Sequence, residues 1–143
     1  MKYTVDDIDI YIMTHNRADY LMLSIESLLN QSAGVSKITV LDNESTDNTL
    51  SAVERFSSRG VRYIRTKGFL GNFKKAQEIA SGKYVMLFHD DDILHPLYLE
   101  LALQVLNEKD DISLITTRYT EFFDDDFPGM PESIGISIDA DLQ

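Results

Sequence analysis

Apolar residues recur along the chain in two alternating rhythms. Ile8 to Met13 (IDIYIM) is a β-branched and aromatic run that stops at Thr14-His15-Asn16-Arg17, which predicts a strand followed by a polar loop. From Asp19 to Gln31, the residues Leu21, Met22, Ile25, Leu28 and Leu29 return at helical spacing, and Gly34 closes that region. Lys37 to Leu41 reads as a second strand. It runs into the polar loop Asp42 to Asn48, where Ser45 to Asp47 offer N-cap side chains to a helix over Asn48 to Phe56. Val61 to Arg65 predicts a third strand. Asn72 to Ala80 predicts a helix with Phe73, Ala76, Ile79 and Ala80 inward and Gly82 at the helix C-terminal glycine position. Lys83 to Phe88 is apolar enough for a strand buried on both faces, and His89 to Asp92 follow it directly. Pro96 opens a helix to Asn107 with Leu97, Leu101, Val105 and Leu106 as core contacts, and Ser113 to Thr117 predicts a fifth strand.

Strand–helix alternation repeated in this way predicts an α/β fold with three α/β/α layers and a mostly parallel sheet. Such sheets bind ligands at the carboxyl ends of their strands. The segments that follow the strands, Thr14 to Arg17, Asp42 to Asp47 and His89 to Asp92, are all strongly polar. The expected organisation is one domain over residues 1–120 and an acidic, irregular segment over 121–143.

Composition narrows the chemistry. The 143 residues are 43% hydrophobic and contain no Cys, which excludes a disordered tail, a disulfide scaffold, a zinc–thiolate site and a cysteine nucleophile. Thirteen Lys and Arg against 24 Asp and Glu give a net charge of −11, so general nucleic-acid binding is not expected. An acidic protein that handles an anionic ligand needs a local cation cluster or a metal. The N-terminal residues carry the wrong charge for a signal peptide, and no apolar run approaches the ~20 residues of a membrane span. A cytoplasmic location is expected.

Asp90-Asp91-Asp92 stands at the end of a hydrophobic strand, where adjacent carboxylates repel one another and resist desolvation. A hard divalent cation such as Mg²⁺ or Mn²⁺ would relieve both costs and could recruit a phosphorylated substrate. Helix capping with solvated neighbours is the competing explanation. Asp124-Asp125-Asp126 is the same tripeptide in a Pro- and Gly-containing stretch, where the solvated explanation is preferred. His15 and His89 both follow strands and could share a cleft, whereas His95 reads as an ordinary loop residue. Arg17, Arg65, Lys67, Lys74 and Lys75 are the basic residues nearest these loops, and one or two could meet a diphosphate. There is no Walker-type loop and no GxGxxG.

Five segments, in order over residues 8 to 100, resemble glycosyltransferase family 2, the inverting nucleotide-sugar transferases with the GT-A fold. Thr14-His15-Asn16-Arg17 resembles the family's "TYNR", and Ser24 to Gln31 resembles "SxxSLLxQ". Leu41 to Thr49 resembles "VDDGSTDNT", Gly71-Asn72 through Tyr84 resembles "GNF…A.GKYV", and the acidic triplet with Pro96 resembles "DDDxLxP". The resemblance implies a Rossmann-like nucleotide-sugar-binding half. Thr14, His15, Asn16, Arg17, Asp42, Asn43, Asn72 and Asp90 would bind the donor. Asp91, with Asp90, would hold a divalent metal that bridges the diphosphate of a UDP-, GDP- or dTDP-sugar and stabilises the leaving group. The sugar would pass to an acceptor hydroxyl, on a carbohydrate or a lipid-linked carrier, in polysaccharide or glycoconjugate synthesis. A longer protein of this kind could sit peripherally at the inner membrane face.

The sequence departs from the family pattern at three places: Asn43 replaces a second Asp, Glu44 the usual Gly, and His89 the first Asp of an extended DxDD. The resemblance covers a donor-binding half, so a truncated chain is expected, with the catalytic base outside it. The rival functions are a non-catalytic nucleotide-sugar-binding module and a Mg²⁺-dependent phosphohydrolase. A response-regulator domain would need an acidic pair after the first strand and a Lys after the fifth, where this chain has Thr117-Arg118.

Overall fold

The computed structural model describes residues 1–68, 70–109, 111–117, 119 and 121. Four parallel strands form one sheet: β1 (Ile8–Thr14), β2 (Lys37–Asn43), β3 (Val61–Thr66) and β4 (Tyr84–His89). Their order is β3-β2-β1-β4, so the chain starts in the middle, grows to one side through β3, and crosses β1 to place β4 on the other. The helices are α1 (Ala18–Leu29), α2 (Thr49–Glu54), α3 (Gly71–Ile79) and α4 (Tyr98–Glu108). The expected α/β layering is present.

Strand periodicity sorts the side chains into two layers. Ile8, Ile10 and Ile12 of β1, with Ile38 and Val40 of β2 and Phe88 of β4, join Leu21, Ile25 and Leu28 of α1, Val53 of α2, and Leu99 and Leu103 of α4 in the main core. Tyr11, Leu41 and Ala76, with Ile64 and Ile79 packed against them, form a smaller core on the other face under α3. β1 lies between two neighbours and two helix layers, and all seven of its residues are buried.

Several expectations need correction. β4 is not buried on both faces: Val85 and Leu87 are each 46% exposed. Among the described residues, helix α3 packs over β2 and β3 and not over β4, which lies at the sheet edge. The fifth strand is absent. Residues 112–117 take no regular structure and Leu114 is 78% exposed: an alternating pattern makes a strand only where its hydrogen bonds pair with a neighbour, and these residues pair with none of the four strands. In α4 the inward residues are Leu99, Leu103 and Leu106, while Leu97 is exposed and Leu101 and Val105 are half-buried. The helix starts two residues after Pro96, which shifts its buried face. Phe73 is likewise exposed, at 47%.

Gly82 does not cap α3. It is required by a close approach, since a Cβ there would lie 2.8 Å from the Asp7 carbonyl and 3.1 Å from Asp9 Cγ. The amides of Ser81 and Gly82 donate to Asp9 Oδ2 at 2.6 and 2.7 Å, while Lys37 Nζ pairs with Oδ1 at 3.1 Å. Burial pushes the Asp9 carboxyl up, but these amides and the ammonium outweigh it and hold the group below the ordinary 3.8. The site lies at the opposite, carboxyl end of the strands. Residues 122–143, including Asp124 to Asp126, lie outside the described residues.

Candidate functional site

The loops after β1, β2 and β4 meet at the carboxyl edge of the sheet. The first two are clasped together by side chains. His15 Nδ1 donates to the Asn43 carbonyl at 2.6 Å, and Asn16 Nδ2 lies 3.2 Å from His15 Nε2. A carbonyl only accepts, so His15 carries its proton on Nδ1 and its Nε2 accepts. The Asn16 amide donates to Ser45 Oγ at 2.8 Å, and the Thr46 amide donates to Asn16 Oδ1 at 2.7 Å. Asn16 and Glu44 adopt positive φ, 53° and 58°, which bends the two loops toward each other. The Gly expected from the family pattern at position 44 is thus a left-handed position, here taken by a residue with a Cβ.

Asp42 and Asp47 shape the β2–α2 loop from inside. Asp42 is 1% exposed. Its Oδ1 accepts from the Ser45 amide at 3.1 Å and the Ser45 hydroxyl at 2.5 Å, and its Oδ2 accepts from Tyr63 OH at 2.5 Å. Burial and the bond to the Asp42 carboxylate push the Tyr63 phenol up to about 12. Asp47, not Asn48, supplies the cap: it accepts from the Thr49 amide at 3.1 Å and from the Ala18 amide of α1 at 3.2 Å. Burial raises the Asp47 carboxyl, yet the bonds from Thr49 and Ala18 prevail and keep it below 3.8.

Both carboxylates of the pair on the β4 loop meet one cation. Arg17 Nη1 lies 3.2 Å from Asp90 Oδ1 and 2.8 Å from Asp91 Oδ2. The Asp90 side chain is 5% exposed and that of Asp91 is 51% exposed. Asp90 foremost, with Asp91 adding to it, raises the Arg17 guanidinium further against burial. The Asp92 carboxyl is pushed up by burial and by Asp91 and Asp90, with His89 opposing.

The loop that carries these acids is fastened to α1. Ser24 Oγ shares its single proton between the carbonyls of Asp90 at 2.8 Å and Asp92 at 2.7 Å. Ser27 Oγ accepts from the Leu94 amide at 3.1 Å. Gln31 donates to the His95 carbonyl at 2.8 Å and accepts from the Leu99 amide at 3.0 Å. Ser24 and Ser27 are fully buried and Gln31 is 5% exposed. The sequence assigned these three residues no role beyond the family pattern. Polar residues at positions 24, 27 and 31 on the face shared with Leu21, Ile25 and Leu28 were the available signal.

The sequence-predicted residues therefore fall into groups. Thr14, His15, Asn16 and Arg17 with Asp42 and Asn43 gather at the ends of β1 and β2, and Asp90 and Asp91 join them through Arg17. Thr14 Oγ1 and Asn43 Oδ1 are buried with no hydrogen-bond partner among the described residues. Asn72 stands at the start of α3, where its Oδ1 bonds Thr66 Oγ1. The cations do not act as one cluster. Arg17 belongs to the acidic pair. Arg65, Lys67, Lys74 and Lys75 line a separate cleft of about 500 Å³ beside β3, with Glu44 and Glu78 between them, and Lys75 pairs with Glu78 at 2.6 Å.

The acidic pair suits a hard divalent cation. Its donors are carboxylate oxygens, one on an exposed and one on a buried side chain, at the carboxyl edge of the sheet. Among the described residues no three His, Cys, Asp or Glu side chains converge into a ready cage.

A parallel α/β sheet with polar loops and an acidic pair at its carboxyl edge defines the class of open α/β domains that carry their ligand sites at that edge. The model for "Glycosyl transferase family 2" matches residues 9–141, and the chain belongs to that family. It is 31% identical over 111 residues to an Escherichia coli chondroitin synthase, covering 75% of this chain and 16% of that one. Among solved structures, Staphylococcus aureus TarS 1–349 in complex with UDP superposes with a TM-score of 0.60 at 23% identity, over 71% of this chain and 32% of that one. The mannosyltransferase PcManGT from Pyrobaculum calidifontis, in complex with GDP-Man and Mn²⁺, superposes with a TM-score of 0.56 at 22% identity, over 64% and 29%. Both share the fold. The chain spans less than half the length of the curated relatives it matches. No described helix is long and apolar enough to cross a membrane.

Proposed function

We propose that this chain binds a nucleoside-diphosphate sugar and contributes to transfer of the sugar to an acceptor hydroxyl in polysaccharide or glycoconjugate synthesis. The observation that carries the reading is the meeting of the β1, β2 and β4 loops, with Asp90 and Asp91 beside Arg17 at 3.2 and 2.8 Å. The nucleoside lies against Thr14, His15, Asn16 and Asn43. Asp42, whose carboxylate is fully engaged by Ser45 and Tyr63, serves it by shaping the loop. Asn72 closes the β3 side. Asp91 and Asp90 hold a divalent cation, which supplies charge neutralisation on the departing diphosphate when bound. Arg17 offers the diphosphate a planar fork of donors. The chondroitin synthase relative, and the UDP and GDP-Man with Mn²⁺ of the two structural neighbours, support this donor class.

These residues bind and orient the donor; none is assigned as the base that takes the acceptor proton. The chain is the donor-binding part of a longer enzyme, and that enzyme works on a carbohydrate or lipid-linked acceptor at the cytoplasmic side. Calorimetric titration with UDP, GDP and dTDP, with and without Mn²⁺, tests the reading. Metal-dependent binding that Asp91→Asn abolishes is the expected result. Hydrolysis of a generic phosphomonoester, abolished by the same substitution, would overturn it in favour of a phosphohydrolase.

A further inference from the structure

The contact between Arg17 and the acidic pair raises a question of charge. Asp90 is buried, Asp91 is beside it, and together they carry two negative charges with one guanidinium nitrogen touching both. Without Arg17 the buried carboxylate would lose its cation and keep its desolvation cost. The loop cannot relax easily, because Ser24 pins the Asp90 and Asp92 carbonyls from α1. Arg17 itself is anchored at the start of α1, where the next residue's amide is bonded by Asp47. The acidic loop and the Arg17 backbone are thus held in place, while the guanidinium contacts Asp90 Oδ1 and Asp91 Oδ2.

Resting on the donor reading above, we infer that Arg17 is the built-in surrogate cation of this site: it neutralises Asp90 and Asp91 in the empty protein and gives them up when metal and diphosphate arrive together. Metal alone must compete with a tethered positive charge for the same lone pairs. A diphosphate changes the balance, because its oxygens accept the guanidinium's planar donors as well as a carboxylate does. Arg17 would then pair with phosphate, leaving Asp90 and Asp91 to hold the cation, so every charge would keep a partner. The exposure of the Arg17 side chain, 51%, leaves it room to swing. Metal and nucleotide binding are therefore positively coupled, and by linkage each strengthens the other by the same factor.

The test is Mn²⁺ titration by calorimetry of the wild type, Arg17→Gln, Arg17→Lys and Asp91→Asn, each alone and with UDP or GDP. Wild type should bind Mn²⁺ weakly alone and on the order of tenfold or more tightly with nucleotide. Arg17→Gln should bind Mn²⁺ alone more tightly than wild type and show weaker coupling, keeping the part that direct metal–phosphate contact supplies. Arg17→Lys, which keeps the charge without the fork, should fall between them. In wild type, the Arg17 Nε–H resonance should move little on Mg²⁺ alone and shift on Mg²⁺ with nucleotide; this readout stands even if a variant fails to fold. The inference is overturned, with the donor reading intact, if Asp91→Asn abolishes Mn²⁺-dependent nucleotide binding while Arg17→Gln changes neither the affinity for Mn²⁺ alone nor the coupling. If no protein binds Mn²⁺, or Asp91→Asn binds it unchanged, the donor reading and the inference fall together.

Discussion

Ser24→Ala removes the tie that fixes the acidic loop to α1. The hydroxyl is fully buried, and its one proton lies between two carbonyls at 2.8 and 2.7 Å. The bond to the Asp92 carbonyl is only partly buried, and that carbonyl can regain water. The Asp90 carbonyl belongs to a buried residue and would face a methyl group. An acceptor left unsatisfied in this way costs about 1–3 kcal/mol. For a domain of this size that corresponds to a fall in Tm of roughly 3–12 °C. Urea denaturation monitored by circular dichroism measures the free-energy term, and Ser51→Ala provides the control. Ser51 makes one exposed bond to the Asn48 carbonyl at 2.9 Å, and its loss should cost under about 0.5 kcal/mol. Loosening the loop should also weaken Mn²⁺-dependent nucleoside-diphosphate binding by about tenfold, or 1.4 kcal/mol. A Ser24→Ala protein as stable as Ser51→Ala, with unchanged nucleotide affinity, would refute the idea that α1 positions the acidic pair.

Gly82→Ala should destabilise by about 1–3 kcal/mol, because the new methyl would sit 2.8 Å from the Asp7 carbonyl, which is backbone and cannot swing away; chemical denaturation reads the loss. Glu44→Gly should stabilise by up to about 1 kcal/mol, since Glu44 holds φ at 58° where glycine has no Cβ to strain; no change in the urea midpoint, or a fall, would count against this. Asp9 governs part of the acid limb. Its folded carboxyl lies below the unfolded 3.8, so its stabilisation is complete above that value and disappears as pH falls through the folded value. Asp9→Asn should therefore cost about 1–3 kcal/mol at neutral pH and give a flatter stability profile than wild type below about pH 4, measured by urea midpoints.

Much of the candidate site's placement was legible in the residues that follow each strand. Thr14 to Arg17, Asp42 and Asn43, and Asp90 and Asp91 could be singled out because a parallel sheet sends every strand's carboxyl end to one edge. Their partnerships were not legible. Arg17 touches Asp90 and Asp91, 73 and 74 residues away, and a one-dimensional pattern carries no such distance. Arg17 also read as one of five nearby basic residues, whereas the fold separates it from the four lining the β3 cleft.

Local period and the burial of apolar area were enough to set the strand–helix order, the positions of the four strands and the layer to which Ile8, Ile10 and Ile12 belong. Long-range packing settled that residues 113–117 form no strand, that β4 is an edge strand among the described residues, and that Gly82 serves a close approach rather than a cap. Ladder partners, helix coverage and backbone proximity are set by where distant segments come to rest. The same holds for Ser24, Ser27 and Gln31: a buried polar residue on an apolar helix face declares that it has a partner, and only the packed chain says which carbonyl that partner is.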